Sequence, residues 1–529
     1  MNQIKRIKRL ITGKNSKPFF TTLTNLENLT SYFSLSNKDF KNGTYRIKKP
    51  GVYVLSENIV FHPNPENDCQ PTENQQDEYP STPGSPYILG FFAAITIEAH
   101  GVILDLNGYE IKQSLEHYVH QRFFSCIELA SSPFFTKQGP ASFNGEKDKF
   151  QNGCDILITN GKIGLSSHHA IHGNNCSNII LDNLDIYDFE ICGIAINGTK
   201  HSIINNVTIR DNLKTVPLNA KYSQVRFLRR HLKNINNIML NNNIARKLLI
   251  EIENTINVAK KSAIKYLKYK FPIKNIPEIF RNTQLLSDGA VYGLVLNQNG
   301  VVIGPFLKKR DNNKDNCNII LKNITIKNIH SKPREIIGLS KNSNNKKSYS
   351  GKVMTGPFGD VFDILFNTDL DCNYIPNLLS DAQLIIAKND NINKTNTGTT
   401  SISQKIIDWV EGKKTLVEAL ESGNPTCFVF GGDSMAHSMK GNIGLFISGG
   451  KDFYMNNISI EDIKNFSKDI GKIPDKVKVI YDKLTNLKSI IPNSLSDLGG
   501  KEYNTLITAS ENINFPTGKT TIINPPTLS

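Results

Sequence analysis

Between residues 156 and 209, three segments repeat one order of apolar and polar positions: ILITNGKI at 156–163, IILDNLDI at 179–186 and SIINNVTI at 202–209. In each, alternating apolar residues lead to an asparagine and then to a second short alternation. The asparagines are Asn160, Asn183 and Asn206, 23 residues apart each time. The pattern returns around Asn323 at 318–326 and around Asn457 at 452–460. Another alternating element precedes the asparagine by 13 residues, at Gly193, Gly444 and, for Asn183, Ala170. A looser version spans 94–111 around Asn107.

Alternation of apolar and polar residues predicts short strands with one buried face. Recurrence at a fixed interval predicts a repeat architecture in which each unit buries its apolar side on the next. Equivalent strands then pair in parallel, about 4.8 Å apart. Ile158, Leu181 and Ile204 would stack in a narrow core, with Leu184 on Val207 and Ile186 on Ile209 as further inward columns. The asparagines are expected to point inward at a bend, each bonding to bend backbone and to the asparagine one coil away, so that no buried polar group is stranded. Asn160, Asn183, Asn206, Asn323 and Asn457 are thus the expected structural ladder.

With these residues the chain resembles the right-handed parallel β-helix, or pectin-lyase-like, superfamily. The resemblance covers 51–212 with interruptions, 289–330 and 441–463. It implies an all-β core: a right-handed parallel β-helix with coils of 23 residues, carrying an inserted α-helical hairpin and a helical C-terminal appendage.

The expected organisation is a basic N-terminal appendage (1–45), the first part of the β-helix (46–212), a basic helical hairpin (213–288), further coils (289–330), an irregular and helical insertion (331–440), a last coil (441–463) and a helical cap or tail (464–529). The hairpin follows from the spacing of Val225, Leu228, Leu232, Ile235 and Met239, continued after three asparagines by Ala245, Leu248, Ile252, Ile256, Ala259 and Ala263. Helices are also expected over 403–421 and 475–487, and an exposed loop over the Pro-, Gln- and Glu-rich stretch 68–85.

Charge refines this layout. The net charge is +14, yet residues 1–17 hold six basic and no acidic side chains, and 218–271 hold twelve basic ones against Glu251 and Glu253. The remaining body is near neutral, which argues against a nucleic-acid sleeve. Arg226, Arg229, Arg230, Lys260 and Lys261 are the candidate anion-binding residues, for nucleic acid, an anionic glycan or acidic capsid proteins. The chain contains 62 Asn and 50 Lys but 12 Arg. This AT-rich coding bias resembles a large double-stranded DNA virus of the mimivirus type. The basic start lacks the apolar stretch of a signal peptide, and no apolar run is long enough to span a membrane. The eight scattered cysteines then read as reduced thiols of an intracellular protein, in the host cytoplasm or the virion.

Catalytic members of the resembled superfamily act on acidic polysaccharides as lyases, hydrolases or epimerases, using outward side chains of neighbouring coils. Three outward columns are readable here: Thr159–Asp182–Asn205, Lys162–Asp185–Thr208 and Tyr187–Arg210. A lyase needs a cation against the substrate carboxylate and a base for the neighbouring proton, so Lys162, Asp182, Asp185 and Arg210 are the candidate catalytic residues. Surface ion pairs of this kind are common, and a solvated ladder is the simpler expectation. The family's hydrolase elements are missing: Asn367-Thr-Asp-Leu-Asp lacks the glycine of the first, and neither the adjacent aspartate pair nor Gly-His-Gly occurs. Of the calcium-lyase arginine motif, Lys332-Pro-Arg334 is the nearest echo.

His168, His169 and His172 cluster, but i and i+3 on a strand face opposite sides, so a structural or solvated role is expected and no metal. The glycine-rich stretches 355–363 and 431–441 read as turn-rich junctions. The leading expectation is a non-enzymatic structural or binding scaffold of a virion. It carries no cofactor (calcium only if it is an acidic-polysaccharide lyase) and no membrane span, and a homo-oligomer, a trimer by analogy, is compatible with it. The alternatives are a polysaccharide-active β-helix enzyme and an anion-binding module working through the hairpin.

Overall fold

The computed structural model describes residues 2–11, 16–81, 85–121, 124–133, 150–189, 191–210, 292–297, 316–331, 442–465, 502–508, 510–513 and 520–523, with short pieces at 246, 250, 339–341 and 347–349. Two helices come first, α1 (Asn2–Lys8) and α2 (Lys17–Glu27). Strands β1 (Tyr32–Leu35), β2 (Tyr45–Ile47), β3 (Gly51–Leu55) and β4 (Ile59–Phe61) follow, then β5 (Ala93–Ile97), β6 (His100–Asp105) and β7 (Glu110–Gln113). A short helix, α3 (Leu115–His120), precedes β8 (Ser125–Glu128). Next come β9 (Cys154–Ser166), β10 (His169–Asn174), β11 (Ser177–Phe189), β12 (Cys192–Asn197) and β13 (Lys200–Arg210). Then follow β14 (Tyr292–Asn297), β15 (Asn316–Ser331), β16 (Leu339–Lys341), β17 (Lys347–Tyr349), β18 (Asn442–Ser448) and β19 (Gly450–Asn465). The last three are β20 (Glu502–Thr508), β21 (Glu511–Ile513) and β22 (Thr520–Ile523).

The core is all-β and parallel. One sheet runs β1-β3-β6-β9-β11-β13-β15-β19-β21, with β7 also pairing with β9 and β4 with β7. The other runs β2-β5-β8-β10-β12-β14-β18-β20-β22, so from β9 onward, apart from the short antiparallel pair β16–β17, the chain visits the two sheets alternately. Registers follow the sequence repeat: Ile158 pairs with Leu181 and Leu181 with Ile204, and Ile163, Ile186 and Ile209 align likewise. These side chains lie in one buried cluster with Ile171, Ile194, Leu294 and Leu445 of the second sheet. Interior isoleucines and leucines fill it, as expected where both sheets turn an apolar face inward.

The long strands are not straight. β11 has left-handed backbone at Asn178, Asn183 and Asp188, with φ of 57°, 58° and 53°. The same five-residue spacing occurs on β15 at Asn318, Asn323 and Asn328, and on β19 at Asp452, Asn457 and Asp462. Asn and Asp tolerate this region better than other residues with a side chain, because their short polar groups bond locally. This changes the expected role of the asparagines. They do not point into the core: Asn183 is half-buried, and Asn206 and Asn457 are exposed. Asn183 Nδ2 donates to Asn160 Oδ1 at 3.3 Å, Asn206 Nδ2 to Asn183 Oδ1 at 2.9 Å, and Asn457 Nδ2 to Asn323 Oδ1 at 2.8 Å. Asn323 breaks the sequence of donors, since its Nδ2 reaches Asn205 Oδ1 at 3.2 Å.

Two expected boundaries and one expected exposure are corrected. The first sheet begins at Tyr32, inside the appendage expected to end at 45, because β1 pairs with β3 along its whole length. The coil at 441–463 is not the last: β20 and β22 extend the second sheet and β21 the first, so the 464–529 tail contributes strands. The 68–85 stretch is not simply exposed, since it buries Cys69 and Tyr79. The helices expected over 403–421 and 475–487, both glycine-rich stretches, and most of the 213–288 and 331–440 insertions lie outside the described residues.

Candidate functional site

The bend at Asn183 divides the predicted candidates. On its far side, strand register brings Lys162 beside Asp185, and Asp185 beside Thr208. The next outward column holds Lys112, Gly164, Tyr187, Arg210 and Lys327. Arg210 Nε and Nη2 donate to the two oxygens of Asp185 at 3.2 and 3.0 Å, and the guanidinium lies 5.0 Å above the Tyr187 ring. That pairing holds the Arg210 charge more firmly than usual. Tyr187 Oη donates to Glu110, whose other oxygen takes the Lys112 ammonium. A Cβ at position 164 would meet the Tyr187 ring at 2.1 Å, so Gly164 is what lets the ring lie across β9.

Burial works to raise the Glu110 carboxyl, but the Lys112 and Tyr187 hydrogen bonds and the Lys112 and Lys162 charges outweigh it and hold it below the ordinary range. Burial and Glu110 together push the Tyr187 phenol well up, so the ring stays a neutral donor. Lys162 is exposed. The carboxylates of this face are thus paired with its cations, and Lys162 adds an exposed ammonium beside them.

On the near side of the bend, Asp182 has a different fate. The apolar faces of α1 and α2, through Ile4, Ile7, Phe19 and Leu23, cover Leu157, Ile180 and Ile203 on the outside of the first sheet. Asp182 lies beneath them, fully buried, accepting from Arg6 of α1 and from Asn205 Nδ2 at 2.7 Å. Its outward column was read correctly, but the column is covered. Three of the four candidates thus share a surface and Asp182 does not. Arg226, Arg229, Arg230, Lys260 and Lys261 lie outside the described residues.

A pair that sequence reasoning missed sits on the second sheet. Glu128 of β8 and His172 of β10 are neighbours in register. His172 Nδ1 is hydrogen-bonded to both carboxyl oxygens, at 2.9 and 2.8 Å, and Ser125 Oγ donates to Oε2 at 3.3 Å. Glu128 is fully buried and His172 nearly so. Burial pushes the Glu128 carboxyl up against the opposing pull of His172. His169 and His172, expected on opposite faces, are both buried with rings stacked 5.0 Å apart. No local signal linked Glu128 to His172. The bend column at Asp155, Asn178, His201, Asn318 and Asp452 was also missed, although Asn or Asp five residues before each ladder asparagine could have found most of it.

Among the described residues, no group of three or more His, Cys, Asp or Glu side chains is placed to hold a metal ion, and no helix is long and apolar enough to cross a membrane. No protein-family model, curated protein or solved structure matches the chain.

Proposed function

We propose that the chain winds as a right-handed parallel β-helix of the pectin-lyase-like kind and serves as a non-enzymatic structural or binding scaffold. The observation that carries this reading is the state of the candidate carboxylates. Asp182 is bound by Arg6 under two helices, Asp185 by Arg210, and Glu110 by Lys112 and Tyr187. A lyase or hydrolase needs a carboxylate free to exchange a proton with substrate, and these three serve internal pairs. The virion assignment rests on composition, 62 Asn and 50 Lys against 12 Arg.

The second reading, a polysaccharide-active enzyme, is favoured by Glu128–His172, since a buried carboxylate on Nδ1 orients an imidazole as a base. One experiment separates the two. The purified chain is incubated with a panel of uronic-acid polysaccharides, with and without calcium, and new reducing ends and ultraviolet absorbance are followed. The scaffold reading expects neither to rise. Turnover lost in Lys162→Ala would place chemistry on the ladder, and turnover lost in Glu128→Gln would place it on the second sheet. Either result overturns the scaffold.

A further inference from the structure

β1, β2 and β4 are the terminal strands of the two sheets where the chain begins. A terminal strand leaves alternate backbone N–H and C=O groups pointing away from its sheet. On β4, Ser114 N–H donates to Phe61 C=O, so Phe61 faces β7 and the backbone of Asn58 and Val60 faces out. Asn37 stands in for the next strand there. Its Oδ1 accepts from Val60 N–H at 3.0 Å and its Nδ2 donates to Asn58 C=O at 2.7 Å. On β2, Glu98 N–H donates to Ile47 C=O, and the outward Thr44 C=O accepts from Tyr79 Oη at 2.7 Å. The segment carrying Tyr79 adds two more bonds at this edge, Gln75 Nε2 to Asn42 C=O and Arg46 to Glu78 C=O, both at 3.0 Å.

The edge of β1 is not covered in this way. Val52 N–H donates to Ser31 C=O and Ser56 N–H to Leu35 C=O. Residues 31, 33 and 35 therefore face β3, and the N–H and C=O of Tyr32 and Ser34 point the other way. Neither has a partner there among the described residues, and both side chains are exposed, Tyr32 at 72%. Residues 31–35 carry no charge, although charge is a common guard of an open edge. The charges stand at the ends of the strand instead. Lys48 and Lys49 lead into β3 at the Tyr32 end, Lys38 and Lys41 follow the Leu35 end, and all four are exposed. Two carboxylates accompany them, Asp39 accepting from Ser36 N–H and Oγ, and Glu57 from Asn37 N–H. The surroundings of the open edge are thus net cationic.

We propose that the outer edge of β1 takes up an extended acidic segment of a partner protein as an added strand. The backbone of that segment pairs with Tyr32 and Ser34, and main-chain bonds supply the affinity. Its carboxylates meet the lysines at either end, and a side chain beside Tyr32 covers the ring. A second copy of this chain is the poorer occupant, because a two-fold pairing of β1 sets the same four lysines against one another. The edge is separate from the columns on which the scaffold reading stands, so either can fail alone.

Fluorescence anisotropy with the full chain tests it. The probe is a short labelled peptide of alternating valine and threonine with aspartates at both ends. It is expected to bind, and its counterpart with lysines at both ends at least tenfold more weakly. The acidic peptide methylated at every backbone nitrogen keeps its charge but cannot donate to an edge, so its binding should be lost. Ser34→Pro removes the outward N–H and leaves the β1–β3 bonds in place. It should weaken binding of the acidic peptide at least tenfold with an unchanged urea midpoint. No binding of the acidic peptide, equal binding of the lysine-ended one, or binding that survives methylation overturns the proposal. A dimer in sedimentation that Ser34→Pro dissociates assigns the edge to a second copy and overturns it as well.

Discussion

Two aspartates stand three residues apart on β11, either side of the bend at Asn183, and they occupy different media. Asp182 has no exposed side-chain surface and is tied to Arg6, 176 residues away in sequence. Asp185 keeps 30% of its side-chain surface and is tied to Arg210, 25 residues away. The same residue type in the same strand is thus an internal fastener in one case and part of a solvated ladder in the other. An outward column on a strand is only a candidate surface, because another element can cover it.

The largest expected effect tests this contrast directly. Arg6→Ala strands a buried carboxylate with Asn205 as its remaining partner and should cost about 3 kcal/mol. Arg210→Ala, at a pair whose side chains are 26% and 30% exposed, should cost about 0.5 kcal/mol. Urea unfolding of both variants measures the difference, and equal losses would erase the distinction.

The bend between the two aspartates comes next. Asn183→Leu places a residue without a local hydrogen bond at φ 58° and removes one ladder amide, at a cost of about 2 kcal/mol. Asn183→Gly keeps the conformation and loses only the amide, so about half that loss is expected in the same assay.

The smallest effect concerns pH. The Glu110 carboxyl is held below its ordinary value in the folded chain, so its stabilisation is complete above the ordinary glutamate range and is lost as pH falls through the lowered value. Glu110→Gln should therefore lower the neutral-pH urea midpoint slightly and flatten its fall on acidification, because the contribution that acid removes is already gone. An unaltered acid-side slope would mean that Lys112 and Tyr187 do not discriminate between the carboxylate and the acid.

The rung spacing was readable because a left-handed bend admits few residue types, and Asn160, Asn183 and Asn206 mark it at constant intervals. The pairing of Lys162 with Asp185 followed from that spacing alone. The direction of the asparagines did not, since Asn satisfies either an inward hydrogen-bond demand or a left-handed backbone. The cover over Asp182 was out of reach for another reason. Ile4, Ile7 and Phe19 advertise an apolar helix face without naming the sheet it meets. Glu128 and His172, 44 residues apart, are joined by register across an interval that does not match the 23-residue spacing.

The ladder also has a meaning for how the chain can lengthen. Asn183 meets Asn160 across 23 residues, whereas Asn323 meets Asn205 across 118 and Asn457 meets Asn323 across 134. Loop-closure entropy grows only with the logarithm of loop length, so the longer intervals add about 1.5 kcal/mol per rung. A single stacked isoleucine or leucine can offset that sum. New sequence can therefore enter at this corner at little thermodynamic cost. The penalty falls on kinetics, because each such rung must wait for more than a hundred residues to leave the ribosome before its neighbour arrives.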